Sequence, residues 1–413
     1  MAGGRLGAAL LRSRPAPRPR SPSGGALPVT RPPADRADSL RRSEIRVLFD
    51  AAARLGDDVI RLEVGEPSFT TPVHVIEAAA KAARDGHTGY GPNGGLLSLR
   101  ELLAEKLRRV NGIEASTDEI VVTPGAMNAL YSVYLALLSA GDEVLLPTPG
   151  FPNMDETIRL LGGAPVFYPL SADAGFLPDV GALEALVTER TRILFVNTPA
   201  NPTGAVYPAP LMGDLVEFAA RHDIWLLCDE VYDEMVLSPG CVHTAAAPFD
   251  TDGRVITVCS FSKVYAMTGW RVGYAAAPRP VADLLRKLQE PLVSCPSTIS
   301  QKAAEAALTG PRAPYDEMLA AYRCRRSAAL DAAAAAGVRA VPSDGTLYML
   351  LDVSAAGVDD LEFALALLES ESVSVAPGSV FGPAGRGWVR ISLAAEETAI
   401  TEGVRRLAKA LHR

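Results

Sequence analysis

Residues 192–199 read RILFVNTP. After its opening arginine the run is continuously apolar, then closes on Asn and Thr-Pro. A strand buried on both faces reads this way, because neither face has to meet water. The neighbouring segments repeat the pattern. Upstream lie EIVVTP (119–124), DEVLLP (142–147) and PVFYPL (165–170); downstream lie IWLLCDEVY (224–232), VITVCSF (255–261) and RVGYAAA (271–277). Between them fall helical patterns: AMNALYSVYLALLSA (126–140), NMDETIRLLGG (153–163), GALEALVTE (181–189) and APLMGDLVEFAARHD (209–223). Buried strands alternating with helices predict an α/β fold with a mostly parallel sheet covered on both faces. In such sheets the ligand lies beyond the C-terminal ends of the strands.

The pattern changes after about residue 295. APYDEMLAAYRCRRSAALDAAAAAG (313–337) is one long helical stretch, followed by short strands and helices to RLAKALHR (406–413). The expected organisation is a large domain over 75–294 and a smaller α+β domain built from 46–74 and 295–413. Residues 1–45 are rich in Arg, Pro and Ser and nearly free of acids, the composition of a disordered basic arm. A transit peptide shares that bias, as do a plain basic tail and a start codon assigned upstream.

The totals exclude several classes. The chain has 413 residues, 48% of them apolar, enough for two sizeable cores. A net charge of -8 argues against general nucleic-acid binding. The longest apolar stretches, such as ALYSVYLALLSAG (129–141), are too short to span a bilayer. Five scattered cysteines without a CxxC fit a reducing, cytoplasmic setting. Five histidines show no metal-ligand spacing and read mostly as surface or capping residues.

The chemistry is sought at the strand ends. The chain uses only 6 lysines among its 40 Lys+Arg residues, yet keeps Lys263 in SFSKVYAMTGWRVGY (260–274). Lysine can become a nucleophilic amine when partly desolvated; arginine cannot. Asp229 closes an apolar run, where a carboxylate needs a cation or a helix to cap. Tyr232 follows it, and Asn201 sits on the Asn-Pro turn of NTPANPTG (197–204). Ser260, Ser262 and Arg271 form a plausible phosphate cradle with the helix start at Gly125. Pyridoxal phosphate needs such a set: an amine, an acid for its ring nitrogen and an anion site.

The chain resembles the class I/II aminotransferases, fold-type I pyridoxal phosphate enzymes of the aspartate aminotransferase kind. The likeness spans about 45–413. It rests on GEPSFTTP (65–72), GYGPNGGLLSLRELL (89–103), VNTPANPTGAVY (196–207), DEVY (229–232), SFSKVYAMTGWRVGY (260–274) and VRISLA (389–394). The resemblance implies that Lys263 forms the Schiff base and shuttles the proton, and that Asp229 pairs with the pyridinium N–H. It implies that Tyr232 and Asn201 bond the ring's phenolic oxygen. Ser260, Ser262, Arg271 and the N–H groups at Gly125 and Ala126 would hold the phosphate. Phe151 would stack on the ring. Arg390, helped by Gly65 and Asn201, would hold the α-carboxylate of an L-α-amino acid. Tyr90 would reach the phosphate of a neighbouring subunit, giving a homodimer with shared sites.

Two positions depart from common family patterns. Phe151 stands where many members carry Trp or Tyr. Met127 stands where some dicarboxylate-using relatives carry lysine. The expected donor is therefore neutral, aromatic or otherwise unusual. The same scaffold also runs lyase, carbon–carbon bond-forming and oxidase chemistry, and these stay open. A ligand-sensing regulator would need a DNA-binding domain, and residues 1–45 carry no helix-turn-helix pattern.

Overall fold

The computed structural model describes residues 34, 40, 44–56 and 58–412. The arm expected over 1–45 lies almost wholly outside this set; residues 44 and 45 already open the helix Glu44–Leu55. The strands, in chain order, are β1 (Ile60–Arg61), β2 (Ile120–Thr123), β3 (Glu143–Thr148), β4 (Ala164–Pro169), β5 (Thr191–Asn197) and β6 (Trp225–Asp229). They continue with β7 (Val255–Ser260), β8 (Gly273–Ala276), β9 (Tyr348–Asp352), β10 (Val373–Ser374), β11 (Ala376–Pro377) and β12 (Trp388–Ser392).

Seven strands form one sheet in the order β2-β8-β7-β6-β5-β3-β4. The pairs β3–β4, β3–β5, β5–β6 and β6–β7 are parallel, and only β8 runs against its neighbours. The expected α/β class with a mostly parallel sheet is what forms. Alternation along the strands divides the core in two. Leu194 and Val196 of β5 pack with Leu215 and Phe218 of the helix Ala209–Arg221. Ile193 and Phe195 pack on the opposite face with Leu130 and Val133 of the helix Ala126–Leu137 and with Leu285 of the helix Arg279–Val293. Each fully buried aliphatic side chain contributes about 1.5–3 kcal/mol, so the two layers fix which way each strand faces.

One expected strand is shorter than its apolar run. β6 stops at Asp229, and Glu230, Val231 and Tyr232 form a turn. The turn is closed by the Val231 N–H on the Asp229 carboxylate at 3.3 Å. The ends Thr123, Thr148, Asn197, Asp229 and Ser260 thus share one edge of the sheet.

The C-terminal part supplies a three-stranded antiparallel sheet, β11-β12-β9. β1 pairs with β10, and the Ser392 N–H donates to the Leu62 carbonyl at 2.7 Å, which ties residues 60–62 to β12. The helix Thr298–Thr309 lies instead against residues 96–98: the Leu96 N–H donates to Gln301 Oε1 at 2.7 Å. No helix among the described residues is long and apolar enough to cross a membrane.

Candidate active site

The shared strand edge and β12 enclose a cavity of about 490 Å³. Of the residues expected from the sequence, Gly65, Ala126, Phe151, Asn201, Asp229, Tyr232, Ser260, Ser262, Lys263, Arg271 and Arg390 line it. Gly125 is not among the lining residues but packs against Arg271, which is. Tyr90 does not reach the cavity of its own chain and is 93% exposed.

Lys263 follows β7 in a tight turn and is half-buried. Its Nζ donates to the Gly65 carbonyl. Asp229 is buried on the same edge. Burial pushes its carboxyl up to about 7; the Val231 N–H works against this, Glu230 adds to it and Lys263 opposes it. Among the described residues neither Lys263 nor Asp229 has an ion-pair partner within 4.0 Å.

The anion cradle is built by close backbone approach. Arg271 takes a left-handed φ of 52°, an uncommon conformation for a residue with a Cβ. Its guanidinium donates to the Thr268 carbonyl at 2.7 Å and to Ser262 Oγ at 3.4 Å. The Ser262 N–H in turn donates to Ser260 Oγ at 3.0 Å. Gly125 has φ 78°, and a Cβ there would sit 2.3 Å from Arg271 Nη2. Only glycine lets the start of the helix Ala126–Leu137 close on this arginine. Free helix N–H groups, two hydroxyls and a guanidinium fit a phosphate.

Arg390 is 4% exposed and lies on β12. It donates to Asn201 Oδ1 at 3.1 Å and to the Glu63 carbonyl at 2.9 Å; its buried Nε has no partner. Its guanidinium lies over the rings of Tyr348 at 4.1 Å and Phe381 at 4.9 Å. Burial lowers its pKa, only partly offset by Tyr348, Tyr232 and Glu63. A buried guanidinium with an unused donor is a receptor for a carboxylate. Asn201 is itself fixed, because its N–H donates to Asn197 Oδ1 at 2.7 Å while Asn197 Nδ2 donates to the Asp229 carbonyl at 2.9 Å.

Several lining residues escaped the sequence reading, Tyr348, Asn197 and Glu63 among them. Tyr348 is central: its hydroxyl bonds Tyr232 and the Gly65 carbonyl, each at 3.3 Å. Its pKa is lowered because Lys263, Arg390 and Tyr232 together outweigh the opposing effect of burial. In the string TLYML it looks like any aromatic of a buried strand. Glu63 likewise interrupts an apolar run without a distinguishing motif, whereas Asn197 opens the quoted string NTPANPTG, in which Asn201 is the expected residue. Of the five histidines, His87 is exposed and His222 and His412 cap helices, as expected for most of them; two depart from that pattern. His243 is neither surface nor cap: its side chain is 5% exposed and its Nε2 lies 2.9 Å from Glu230 Oε2. His74 Nε2 is also buried, without a partner.

The donor set fits pyridoxal phosphate: a single amine, an acid without a cation and an anion cradle converge on one cavity. The comparisons agree. The model of the family "Aminotransferase class I and II" matches residues 57–410. Aspartate aminotransferase of Pyrococcus abyssi is 40% identical, covering 92% of this chain and 98% of that protein. Aromatic-amino-acid aminotransferase 2 of Thermococcus litoralis is 37% identical over the same shares, 92% and 98%. The solved structure of aspartate aminotransferase from Thermus thermophilus with maleate superposes with a TM-score of 0.87 at 36% identity, covering 92% of this chain and all of that one. With this site at the edge of this sheet, and with matches running through nearly the whole chain, the protein belongs to the class I and II aminotransferases.

Proposed function

We propose that this aminotransferase moves the amino group of a neutral or aromatic L-α-amino acid to a 2-oxo acid in the cavity at the sheet edge. The observation that carries the reading is the set of unpaired charges there: Lys263, Asp229, Arg271 and Arg390 line one space, and none has an ion-pair partner among the described residues. When bound, pyridoxal 5′-phosphate supplies an aldehyde that exchanges amines and a ring that withdraws electrons from the substrate α-carbon.

The chain's residues do the rest in this reading. Ser260, Ser262, Arg271 and the N–H group of Ala126 hold the phosphate; the Gly125 N–H, expected to join them, already donates to the Thr123 carbonyl at 2.7 Å. Asp229 keeps a proton on the ring nitrogen. Tyr232 and the amide of Asn201 donate to the ring oxygen, and Phe151 covers the ring face. Arg390 clamps the α-carboxylate and orients the α-C–H toward Lys263 Nζ. That amine is the group placed to take the proton from the α-carbon and to return it, the exchange that the cofactor would make possible when bound. Residues 46–74 and 295–413, apart from the helix Thr298–Thr309 that lies against residues 96–98, act as a small domain closing on 75–294, which excludes water and strengthens each charge contact. Tyr90 serves a neighbouring copy in a homodimer; its exposure, shared by Val73, Ile76 and Leu97, supports a covered face there. The free cysteines support a cytoplasmic setting.

The donor class follows from the lining. Ile45, Met127, Leu130, Phe151 and Val231 are apolar, and Glu63 and Glu66 add carboxylates rather than a second cation. With Lys263 and Arg271 engaged by the cofactor and Arg390 by the α-carboxylate, a side-chain carboxylate would meet no further positive charge there, whereas an apolar or aromatic side chain buries area. Relatives carry names for aspartate and for aromatic amino acids, so both belong in the test. The purified protein is titrated with a panel of L-amino acids without keto acid, following the cofactor's absorbance and the keto acid released. One equivalent of keto acid from a neutral or aromatic amino acid is expected. Aspartate or glutamate reacting far faster would overturn the donor class.

A further inference from the structure

A second cluster of ionisable side chains lies behind the end of β6, outside the residues that line the cavity. Asp229 and Glu230 are consecutive, and only Asp229 joins the cavity wall. Glu230, wholly buried, meets His243 on the other side, Oε2 to Nε2 at 2.9 Å. Asp233, from the same turn, accepts from Lys106 Nζ and, at 2.9 Å, from Asn111 Nδ2. Lys106 also donates to Asn111 Oδ1 at 2.9 Å. Asn111 ends a π turn, Leu107–Asn111, that continues the helix Leu97–Lys106; such turns recur at functional places.

The cluster carries matched charges. Burial works against a charged His243, but Glu230 and Asp233 outweigh it and raise its pKa, with Lys106 opposing. Burial likewise disfavours the Lys106 ammonium, and Asp233 more than restores it. Cys259 of β7 and Tyr274 of β8 complete the surroundings of Lys106 and Asp233. Two groups remain unsatisfied, Glu230 Oε1 and His243 Nδ1.

We infer that the Glu230–His243 ion pair, braced by Asp233, Lys106 and Asn111, is a positioning network that keeps Asp229 able to ionise against the cofactor's ring nitrogen. The inference rests on the reading of Asp229 given above. Two buried carboxylates one residue apart oppose each other's ionisation. A proton on His243 turns Glu230 into half of a neutral pair and removes that opposition. Without it, the negative charge of Glu230 holds Asp229 in its neutral form, and a neutral acid does not retain a pyridinium N–H.

The test uses the full-length chain stripped of cofactor. Affinity is measured by equilibrium dialysis for pyridoxamine 5′-phosphate and for its analogue in which carbon replaces the ring nitrogen. His243→Gln is expected to weaken the nitrogen ligand about tenfold, the equivalent of one pKa step, and to change the carbon analogue by less than about twofold. Glu230→Gln with His243→Gln removes both charges and should restore wild-type affinity. It also keeps the inference testable if the single variant does not fold: selective loss of the nitrogen ligand in the double variant overturns it. Equal weakening of both ligands by His243→Gln, or no weakening, overturns it as well. If the wild-type chain binds the two ligands equally, the reading of Asp229 falls and the inference with it. If the wild type prefers the nitrogen ring and His243→Gln keeps that preference, the inference alone falls.

Discussion

Asp229 and Glu230 are neighbours in sequence and both are buried, at 4% and 0% exposure. The two sides of the strand end nevertheless treat charge in opposite ways. On the cavity side Asp229, Lys263, Arg271 and Arg390 stand without ion-pair partners among the described residues, and Arg390 keeps a free buried donor. On the far side Lys106 meets Asp233 and His243 meets Glu230. An unpaired buried charge is costly, and a paired one is tolerated when its hydrogen bonds are filled. The difference separates groups waiting for a ligand from groups that complete the protein itself.

That contrast is broken most directly at the two lysines. Lys263→Ala should lower transamination by at least about 10²–10⁴-fold, the usual contribution of a placed proton-transfer group. Folding and phosphate binding should persist, because Lys263 holds up nothing beyond a contact with the Gly65 carbonyl. Turnover near that of the wild type would remove Lys263 from the chemistry. Lys106→Met should act in the reverse sense. It strands Asp233 as an uncompensated buried charge and should cost about 3–5 kcal/mol of stability. Chemical denaturation reads this, and a loss under 1 kcal/mol would mean that the far cluster is not paired as described.

The same pair shows how far the sequence could be read. Scarcity of lysine drew attention to Lys263, but it applies equally to Lys106, and no local string distinguishes a reactive amine from a buried counter-ion. The sheet was legible because buried parallel strands write continuous apolar runs. The cavity residues were legible because they fall in motifs at strand ends. Tyr348 was not, since it acts through contacts across long stretches of chain, and His243 was not, since a lone histidine in a loop carries no motif. Tyr348 meets Tyr232 and Gly65, 116 and 283 residues away. The buried Glu230–His243 pair depends on the loop after β6 folding back, which composition does not encode.

Asp229 sharpens the comparison through pH. In the cofactor-free chain its pKa rises from 3.8 to about 7, chiefly through burial. Between those values the folded chain keeps a proton that the unfolded chain has lost. Stability contributed by this group is therefore full below about pH 4 and is lost as pH climbs to about 7. At about 1.4 kcal/mol per tenfold, the ceiling is roughly 4 kcal/mol. Asp229→Asn should remove that slope. The cofactor-free variant should gain stability over the wild type between pH 5 and pH 8, while its hold on the cofactor weakens. Identical pH slopes for both proteins would place the Asp229 carboxyl in a less buried setting than the one described.

The smallest effect tests whether two cavity-side hydroxyls are coupled to each other. Tyr232 and Tyr348 share a hydroxyl contact at 3.3 Å, and their rings meet edge to face with centroids 6.1 Å apart. Tyr348→Phe keeps the ring beneath Arg390 and leaves the Gly65 carbonyl to Lys263, so only the hydroxyl chain is cut. A net cost of about 1 kcal/mol is expected, typical of one hydrogen bond. Tyr232→Phe removes the same contact from the other end. The double variant should then lose less than the sum of the two, with a coupling of at least about 0.5 kcal/mol. Strict additivity would mean that the hydroxyls do not sense each other. The two tyrosines would then stand independently, in contrast to the coupled pairs of the far cluster.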